Sequence, residues 1–225
     1  VKYAGNRHRY DSASAKVNAK QELFKQGKNV RDPYSGAELL LRKQDAKLKY
    51  GRKWAEHLAE TDHTVPVQKV HQEYKNDAWI SDADIREVTN DADNLQVISR
   101  QQNNAKRART NEEFYGNEEY LEEKGIKLSA KARKKAIETG KKAQQNIDRK
   151  MLGKKVSNIG KEFHNAGLQG AYSAGAMTAA ISATNNIVAV IKGEVTPEEA
   201  LKNVAKDTLT SASTGYMVTG STAVI

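Results

Sequence analysis

The pattern of apolar and polar positions divides the first half of the chain into short helical and extended segments. Apolar residues at helical spacing predict a helix that starts near Ser12 or Ser14 and ends at Gln26, where Gly27 follows. A second helix is predicted over 37–56. Its apolar anchors are Leu40, Leu41, Leu48 and Trp54. Between the two helices, the string Asp32-Pro33-Tyr34-Ser35-Gly36 predicts a tight turn, because proline fixes φ and glycine tolerates positive φ.

Two short segments further along are predicted as strands, the first leading to a turn at Pro66 and the second apolar. The strands are His57 to Asp62 and Leu95 to Ile98. Between them, the spacing Ser81-x-x-Asp84 is that of a capping box and predicts a short helix over 82–89. After the second strand, Ser99 is a suitable N-cap for a helix that runs to about Arg109.

The middle of the chain is strongly basic. Residues 124–161 contain thirteen Lys or Arg against two acidic residues, Glu138 and Asp148. Ser129 is a suitable N-cap for a helix predicted over 130–152. The apolar side of this helix carries Ala132, Ala136, Ala143, Ile147 and Met151. The segment either binds a nucleic-acid backbone or forms a solvated helix face, and the pattern favours neither.

The last part of the chain is rich in small residues. No Asp, Glu, Lys or Arg occurs from Phe163 to Ile191, and Thr196-Pro197-Glu198-Glu199 indicates the start of another helix. We therefore expect an Ala/Gly-rich helical hairpin at 163–225 that continues beyond the last residue. The small-residue side of 166–191 suits close packing against a partner protein or a second copy of the chain. Membrane insertion is the weaker alternative: the stretch is long enough, but its hydrophobicity is low.

Composition narrows the classes of function. The chain has 225 residues, a formal net charge of +9 and no cysteine. Disulfides and cysteine-based zinc sites are therefore excluded, and the basic balance favours a phosphate-bearing partner. Shifts in composition predict a mixed domain with an N-terminal helix at 1–120, a basic helical linker at 121–162, and the hairpin at 163–225. The polar residues 1–10 predict no signal peptide.

Three short strings carry candidate chemistry. They are Glu60-Thr61-Asp62-His63-Thr64-Val65-Pro66, Asn94-Leu95-Gln96-Val97-Ile98 and Asn103-Asn104-Ala105-Lys106. Hydrolysis of a phosphodiester needs a divalent cation to neutralise charge and a base to activate water. A hard ion such as Mg²⁺ takes oxygen ligands, so one carboxylate and one amide oxygen suffice when water and phosphate complete its shell. A neutral imidazole is a suitable base, because its pKa lies near neutrality.

The order of these strings resembles the HNH, or ββα-metal, endonuclease family over about residues 30–110. The turn at Tyr34-Ser35-Gly36 is also similar to one that precedes the Asp-His strand in some members. The predicted helices indicate a mainly α fold, and the resemblance implies that this fold contains a small ββα-metal module. It implies that Asp62 and Asn103 bind Mg²⁺ or Mn²⁺ and that His63 is the general base. It further implies that Asn94 braces the loop that carries His63.

Basic residues at and after the end of the third string, and in the basic stretch 124–161, are candidates for holding substrate by their charge. We expect nucleic acid to contact Lys106, Arg107, Arg109, Lys134, Lys135, Lys141 and Lys142. Lys106 lies one helical turn from Asn103, where it either holds phosphate or supports the fold.

Departures from the family pattern leave alternatives. His63 and Asn94 lie 31 positions apart, which requires an insertion between the two strands, around 68–91. Asn104 adjoins Asn103 and is an alternative ligand, although the spacing to the following lysine favours Asn103. Glu60 shares a strand face with Asp62, where it is either an extra ligand or, with better odds, a solvated residue.

The leading expectation is a metal-dependent endonuclease that acts on DNA, with RNA as an alternative substrate. Because these properties are usual among members of that family, we also expect a bacterial or phage origin, a cytoplasmic location and a role as a toxin or antiphage defence effector. The alternative is a catalytically inactive, HNH-like platform that binds nucleic acid, with an oligomerising or membrane-active hairpin at its C-terminal end.

Overall fold

The computed structural model describes residues 7–25 and 29–165, together with scattered positions between 182 and 207. This part of the chain is mainly helical and contains a two-stranded antiparallel sheet, so the predicted fold class is confirmed at that level. The strands are β1 (Ala59–His63) and β2 (Leu95–Ser99). The 3₁₀ helices are Gly51–Glu56 and Ala92–Asn94. The α-helices are α1 (Arg7–Tyr10), α2 (Ala13–Lys25), α3 (Lys43–Tyr50), α4 (Val67–Tyr74), α5 (Asp82–Thr89), α6 (Arg100–Lys106), α7 (Asn111–Tyr115), α8 (Glu118–Glu123) and α9 (Ala130–Asn165).

The chain divides into two compact units. The first consists of Val1–Asn76 and Ser81–Ile147 and contains both strands. The second consists of Asp77–Ile80 and Asp148–Ile225. The three strings that carry the candidate site residues therefore lie in the first unit.

Strands β1 and β2 pair antiparallel, and α6 follows β2 directly, so the order strand, strand, helix is present. The register places Asp62 opposite Gln96 and His63 opposite Leu95. Helices α4 and α5 occupy the insertion that the spacing between the strands requires. The N-terminal helix α2 packs against both strands.

The predicted caps are confirmed at the helices that surround the sheet. Ser81 and Asp84 form a reciprocal capping box at the start of α5. Ser99 Oγ accepts a hydrogen bond from the Gln102 backbone N–H, which starts α6 at the residue after β2. Helix α6 ends at Lys106, earlier than predicted, and α2 begins after Ser12.

The helix predicted over 37–56 is wrong in its first part. The backbone N–H groups of Leu39 and Leu40 donate to Val30 O at 2.8 Å and to His57 O at 2.7 Å, in extended pairings between distant segments. Only Lys43–Tyr50 is α-helical, and Leu48, expected as an apolar anchor, is 91% exposed. Tertiary backbone pairing therefore overrides the local helical pattern of this segment.

The core of the first unit lies where β2, α7 and α9 meet. Ile98, Phe114 and Tyr115 are fully buried, and Ala136 of α9 belongs to the same cluster. The apolar side predicted for α9 is confirmed, since Ala143 and Ile147 are also buried. Helix α9 extends beyond the predicted end at residue 152.

The hairpin predicted at 163–225 lies mostly outside the described residues. The capping contacts predicted at Thr196 are present: its backbone N–H donates to Glu199 at 2.8 Å, and its hydroxyl accepts from the Glu199 N–H at 3.2 Å. Among the helices of the described part, no stretch has the length and apolar character needed to cross a bilayer.

Candidate active site

The end of β1 places Asp62 and His63 on opposite sides of the strand, because successive strand residues alternate. Both residues are buried, with 7% and 4% of their surface exposed. They nevertheless line one cavity of about 120 Å³ together with Arg107. The remaining lining residues are Pro66, Val67, Gln68 and Ala108. At ~30 Å³ per water molecule, the cavity holds a few waters and is smaller than a typical small-molecule pocket.

Asp62 is held by a network that contains a fully buried lysine. Its Oδ2 accepts from Gln96 Nε2 at 2.8 Å and from Lys106 Nζ at 2.7 Å. The ammonium group of Lys106 also donates to the carbonyls of His63 and Thr64. Because Lys106 is 0% exposed, it supports the end of β1 and does not reach the surface. Of its two predicted roles, support of the fold is the one that this position serves.

The orientation of Gln96 is set by the turn that precedes the strands. The hydroxyl of Tyr34 donates to Gln96 Oε1 at 2.6 Å, which leaves Nε2 directed at Asp62. Burial raises the pKa of Tyr34 to about 12, so its hydroxyl remains a donor at neutral pH. The turn itself is attached to the start of α6, because Asp32 accepts from the Ser99 N–H at 2.7 Å.

The imidazole of His63 is enclosed by the N-terminal segment and by the end of α5. Its Nε2 lies 3.1 Å from Asn90 Oδ1 and 3.9 Å from Asp11 Oδ1. Burial lowers the pKa of His63, and the hydrogen bond to Asn90 and the charge of Asp11 oppose this shift only in part. His63 is therefore neutral at pH 7, as a general base must be.

Asn90 determines which nitrogen of His63 carries a proton. Its Nδ2 donates to the carbonyls of Tyr10 and Arg86 at 2.6 Å each, so its Oδ1 is the acceptor towards His63. The Ser12 backbone N–H donates to the same oxygen at 2.9 Å. His63 Nε2 must therefore be a donor, and the lone pair of the neutral ring is on Nδ1. Nδ1 is the nitrogen able to take a proton from water.

Asn94 ties the residues after His63 to the end of α5. Its Oδ1 accepts from the Val65 N–H at 2.8 Å, and its Nδ2 donates to the carbonyls of Val65 and Thr89. Its backbone carbonyl accepts from the Thr64 N–H at 2.8 Å. Asn94 is 1% exposed, so these bonds lie in the interior. They hold the loop after His63, and the effect of Asn94 on catalysis stays a prediction.

Asn103 lies on α6 beside a second carboxylate of β1. Its Nδ2 donates to Glu60 Oε2 at 2.8 Å, and Glu60 is also paired with Arg100. Glu60 and Asp62 lie on the same side of β1, two residues apart. Glu60 was expected to be solvated with better odds than to act as a ligand, but it is half-buried and bonded to Asn103. The alternative ligand Asn104 is exposed.

These groups suit a hard divalent cation in their chemistry. The carboxylates of Asp62 and Glu60 and the amide oxygen of Asn103 are the oxygen donors that Mg²⁺ and Mn²⁺ prefer. Among the described residues, no group of three or more His, Asp or Glu side chains is gathered closely enough to hold a metal ion on its own. Any cation here would therefore rely on the amide, on water and on phosphate.

Arg107 lies at the cavity in a conformation that an L-amino acid rarely adopts. Its φ is +55° and its ψ is −120°, and it ends α6 with its N–H bonded to Asn103 O. Gly51 ends α3 with nearly the same angles, 54° and −122°. A non-glycine residue in such a region costs about 1–3 kcal/mol, and such strain concentrates at functional sites.

The other residues expected to contact nucleic acid lie in different surroundings. Exposed side chains are found at Lys134, Lys135, Lys141 and Lys142. Lys135 donates to Pro33 O at 3.1 Å, and Lys141 lies 3.8 Å from Glu112. Arg109 is half-buried over the Tyr120 ring, 4.3 Å from its centroid. Its guanidinium therefore makes internal contacts.

Two residues of the site have roles that the motifs did not predict. Gln96 stands inside the string Asn94-Leu95-Gln96, and its place opposite Asp62 follows from the strand register. Asn90 follows the end of α5, and no feature of the sequence indicates its contact with His63. Comparison with known proteins found no matching family, no matching curated protein and no matching solved structure.

Proposed function

We propose that this chain is a metal-dependent endonuclease of the HNH type that hydrolyses phosphodiester bonds in DNA. The supporting observation is that a neutral imidazole, a carboxylate and a strained arginine line one small cavity at the end of β1. Asp62 and His63 are the last two residues of β1, and Arg107 follows the end of α6.

His63 serves as the general base in this proposal. Its Nδ1 takes a proton from a water molecule, whose oxygen forms a bond to phosphorus while the bond to the leaving oxygen breaks. The leaving oxygen takes a proton from solvent. Asn90 keeps the Nε2 proton in place, and Asn94 fixes the loop that carries the ring. General base catalysis of this kind contributes typically 10²–10⁴-fold.

A bound Mg²⁺ or Mn²⁺ would neutralise charge at the phosphate and at the leaving oxygen. Asp62 and Asn103 would hold it, with Glu60 as a further carboxylate beside Asn103. Arg107 would contact the phosphate at the mouth of the cavity, where its guanidinium can pair with two oxygens.

The test is cleavage of a supercoiled plasmid with Mg²⁺ or Mn²⁺, comparing the wild type, His63→Ala and a reaction with EDTA. His57→Ala is the matched control, because His57 is bonded to Glu38 O and stacks on Tyr50 outside this cavity. We expect metal-dependent cleavage by the wild type and the control, and a loss of about 10²-fold or more in His63→Ala. Equal cleavage by His63→Ala would contradict the proposal.

The second candidate is an inactive nucleic-acid-binding platform, and one observation favours it. Asp62 Oδ2 is already paired with the Lys106 ammonium, which competes with a cation for that oxygen. Tight DNA binding by the wild type without cleavage in either metal would favour the platform. An RNA substrate of the same length distinguishes the two nucleic acids in both assays.

A further inference from the structure

A second basic surface lies on α3 and the 3₁₀ helix that follows it. Three cations surround the half-buried indole of Trp54. Lys43 and Lys47 Nζ lie 5.0 and 5.5 Å from the ring centroid, and the Arg100 guanidinium carbon lies 5.6 Å from it. Each contact is within cation–π range, so the ring holds like charges together that would otherwise repel one another.

Acidic groups do not balance the charge of this segment. Residues 42–53 contain six Lys or Arg against a single acid, Asp45. Lys49 is paired with Glu38, whereas Arg42, Lys43, Lys47 and Lys53 are exposed to solvent. A concentration of positive charge like this attracts a polyanion.

The surface is connected to the candidate active site through one residue. Arg100 contacts Trp54 on one side and pairs with Glu60 on the other. Glu60 in turn accepts a hydrogen bond from Asn103, and α6 packs against the 3₁₀ helix. A DNA strand bound over Trp54 would therefore continue towards Asn103 and the end of β1.

We propose that Lys43 and Lys47, which contact Trp54, together with the exposed Lys53 bind the sugar–phosphate backbone of duplex DNA and lead it to the site. The choice of DNA rests on the proposed function, but the binding surface does not depend on catalysis. The lysines of α9 are the competing surface. Lys135 and Lys141 there already contact protein groups, and no link from them to Asn103 is found among the described residues.

The experiment measures binding without cleavage. A fluorescently labelled duplex is titrated with the His63→Ala protein in EDTA at several salt concentrations, and the affinity is plotted against salt. Lys43→Gln/Lys47→Gln/Lys53→Gln is compared with Lys25→Gln/Lys75→Gln/Lys127→Gln, which removes equal charge from exposed positions outside both surfaces. We expect the first set to lower the salt slope by roughly 0.9 for each phosphate that is no longer neutralised, and the control set to leave it unchanged.

Trp54 supplies a local readout. In a Trp79→Phe background it is the only tryptophan, since the chain has two. We expect its fluorescence to change on addition of DNA, and this change to disappear in the lysine triple variant. Circular dichroism of each variant confirms that it is folded.

Three results would overturn this inference. One is a salt slope of binding that is unchanged in the Lys43, Lys47 and Lys53 triple variant but reduced in a variant with glutamine at Lys134, Lys135, Lys141 and Lys142. Another is binding to anionic vesicles but not to the duplex, and the third is tighter binding to an RNA duplex of the same sequence. A protein that binds through Trp54 but cuts nothing would refute the nuclease and leave the surface standing.

Discussion

The two sides of β1 hold their functional residues in different ways. On the side of α6, Asp62 is fixed by an ion pair with a fully buried lysine and by Gln96. On the opposite side, His63 is held by the uncharged amide of Asn90. Strong charge–charge contacts therefore position the carboxylate, while burial favours the neutral form of the imidazole and the hydrogen bond to Asn90 orients the ring.

This difference matches the work proposed for each residue. A metal ligand must present its oxygens in a fixed direction, and Lys106 Nζ and Gln96 Nε2 hold Oδ2 of Asp62 in place. A general base must stay neutral, and burial lowers the pKa of His63 although Asp11 Oδ1, 3.9 Å from Nε2, favours the charged form. The comparison predicts that the Asp62 side determines stability and that the His63 side determines the pH dependence of cleavage.

The largest expected effect comes from breaking the ion pair. Lys106→Met leaves Asp62 buried without its cation, and we expect a loss of about 3–5 kcal/mol in the free energy of unfolding, measured in urea. Asp62→Asn in the same background should recover part of this loss, because the uncompensated charge is gone. A single Lys106→Met variant as stable as the wild type would show that the pair is not needed.

The next effect concerns the loop between the two sides. Asn94→Ala leaves buried backbone groups of Val65 and Thr89 without partners, and we expect a loss of about 1–3 kcal/mol together with slower cleavage. Mn²⁺ affinity, measured by calorimetry, should stay near that of the wild type and fall only in Asp62→Ala. Equal loss of affinity in both variants would assign Asn94 to metal binding instead. Asn104→Ala, at an exposed amide, is the control.

A substitution of Arg107 tests the cavity that Asp62 and His63 both line. Arg107→Gly relieves the backbone strain, so we expect a stability gain of about 1–3 kcal/mol with reduced cleavage. Gly51→Ala is the matched control: a Cβ there meets no heavy atom within 4 Å, so its expected loss measures the backbone conformation alone. If Arg107→Gly cleaves as well as the wild type, the strain has no catalytic purpose.

The smallest change acts on the His63 side alone. Asn90→Asp places a carboxylate beside Nε2, which should raise the pKa of His63 and move the acid limb of kcat/KM to higher pH by roughly one unit or more. Asn104→Asp adds the same charge at an exposed position and should leave the limb in place. A shifted limb with full activity at high pH identifies Asn90 as a positioning residue, whereas a uniform loss at all pH values would make it merely structural.

The titration of His63 should also make the free energy of unfolding depend on pH. Burial lowers the pKa of His63 in the folded protein, while the unfolded chain titrates near ~6.5. Between these two pKa values the unfolded state binds more protons, so stability rises with pH through this window and is lost as the pH falls. His63→Gln should remove this slope, and urea midpoints measured below and above pH 6.5 would detect it.

Much of the local structure follows from the sequence. Ser81, Ser99 and Ser129 start helices because their hydroxyls satisfy free backbone N–H groups, and this chemistry acts within three residues. Both strands of the sheet were also predicted from the sequence, the second from its apolar run, and the spacing between them required the insertion. Asp62, His63, Asn94 and Asn103 were proposed as site residues because three short strings resemble a known family in their order.

Only the tertiary structure decided how those residues are used. Leu39 and Leu40 carry a helical pattern, yet their backbone N–H groups donate to the carbonyls of Val30 and His57, which lie in other segments of the chain. Lysine usually lies at the surface, but Lys106 lies in the interior. Asn90 contacts His63 although 27 positions separate the two residues. Spacing along the chain determines contacts within a turn or a helix, whereas burial and partners across the fold depend on how whole elements pack.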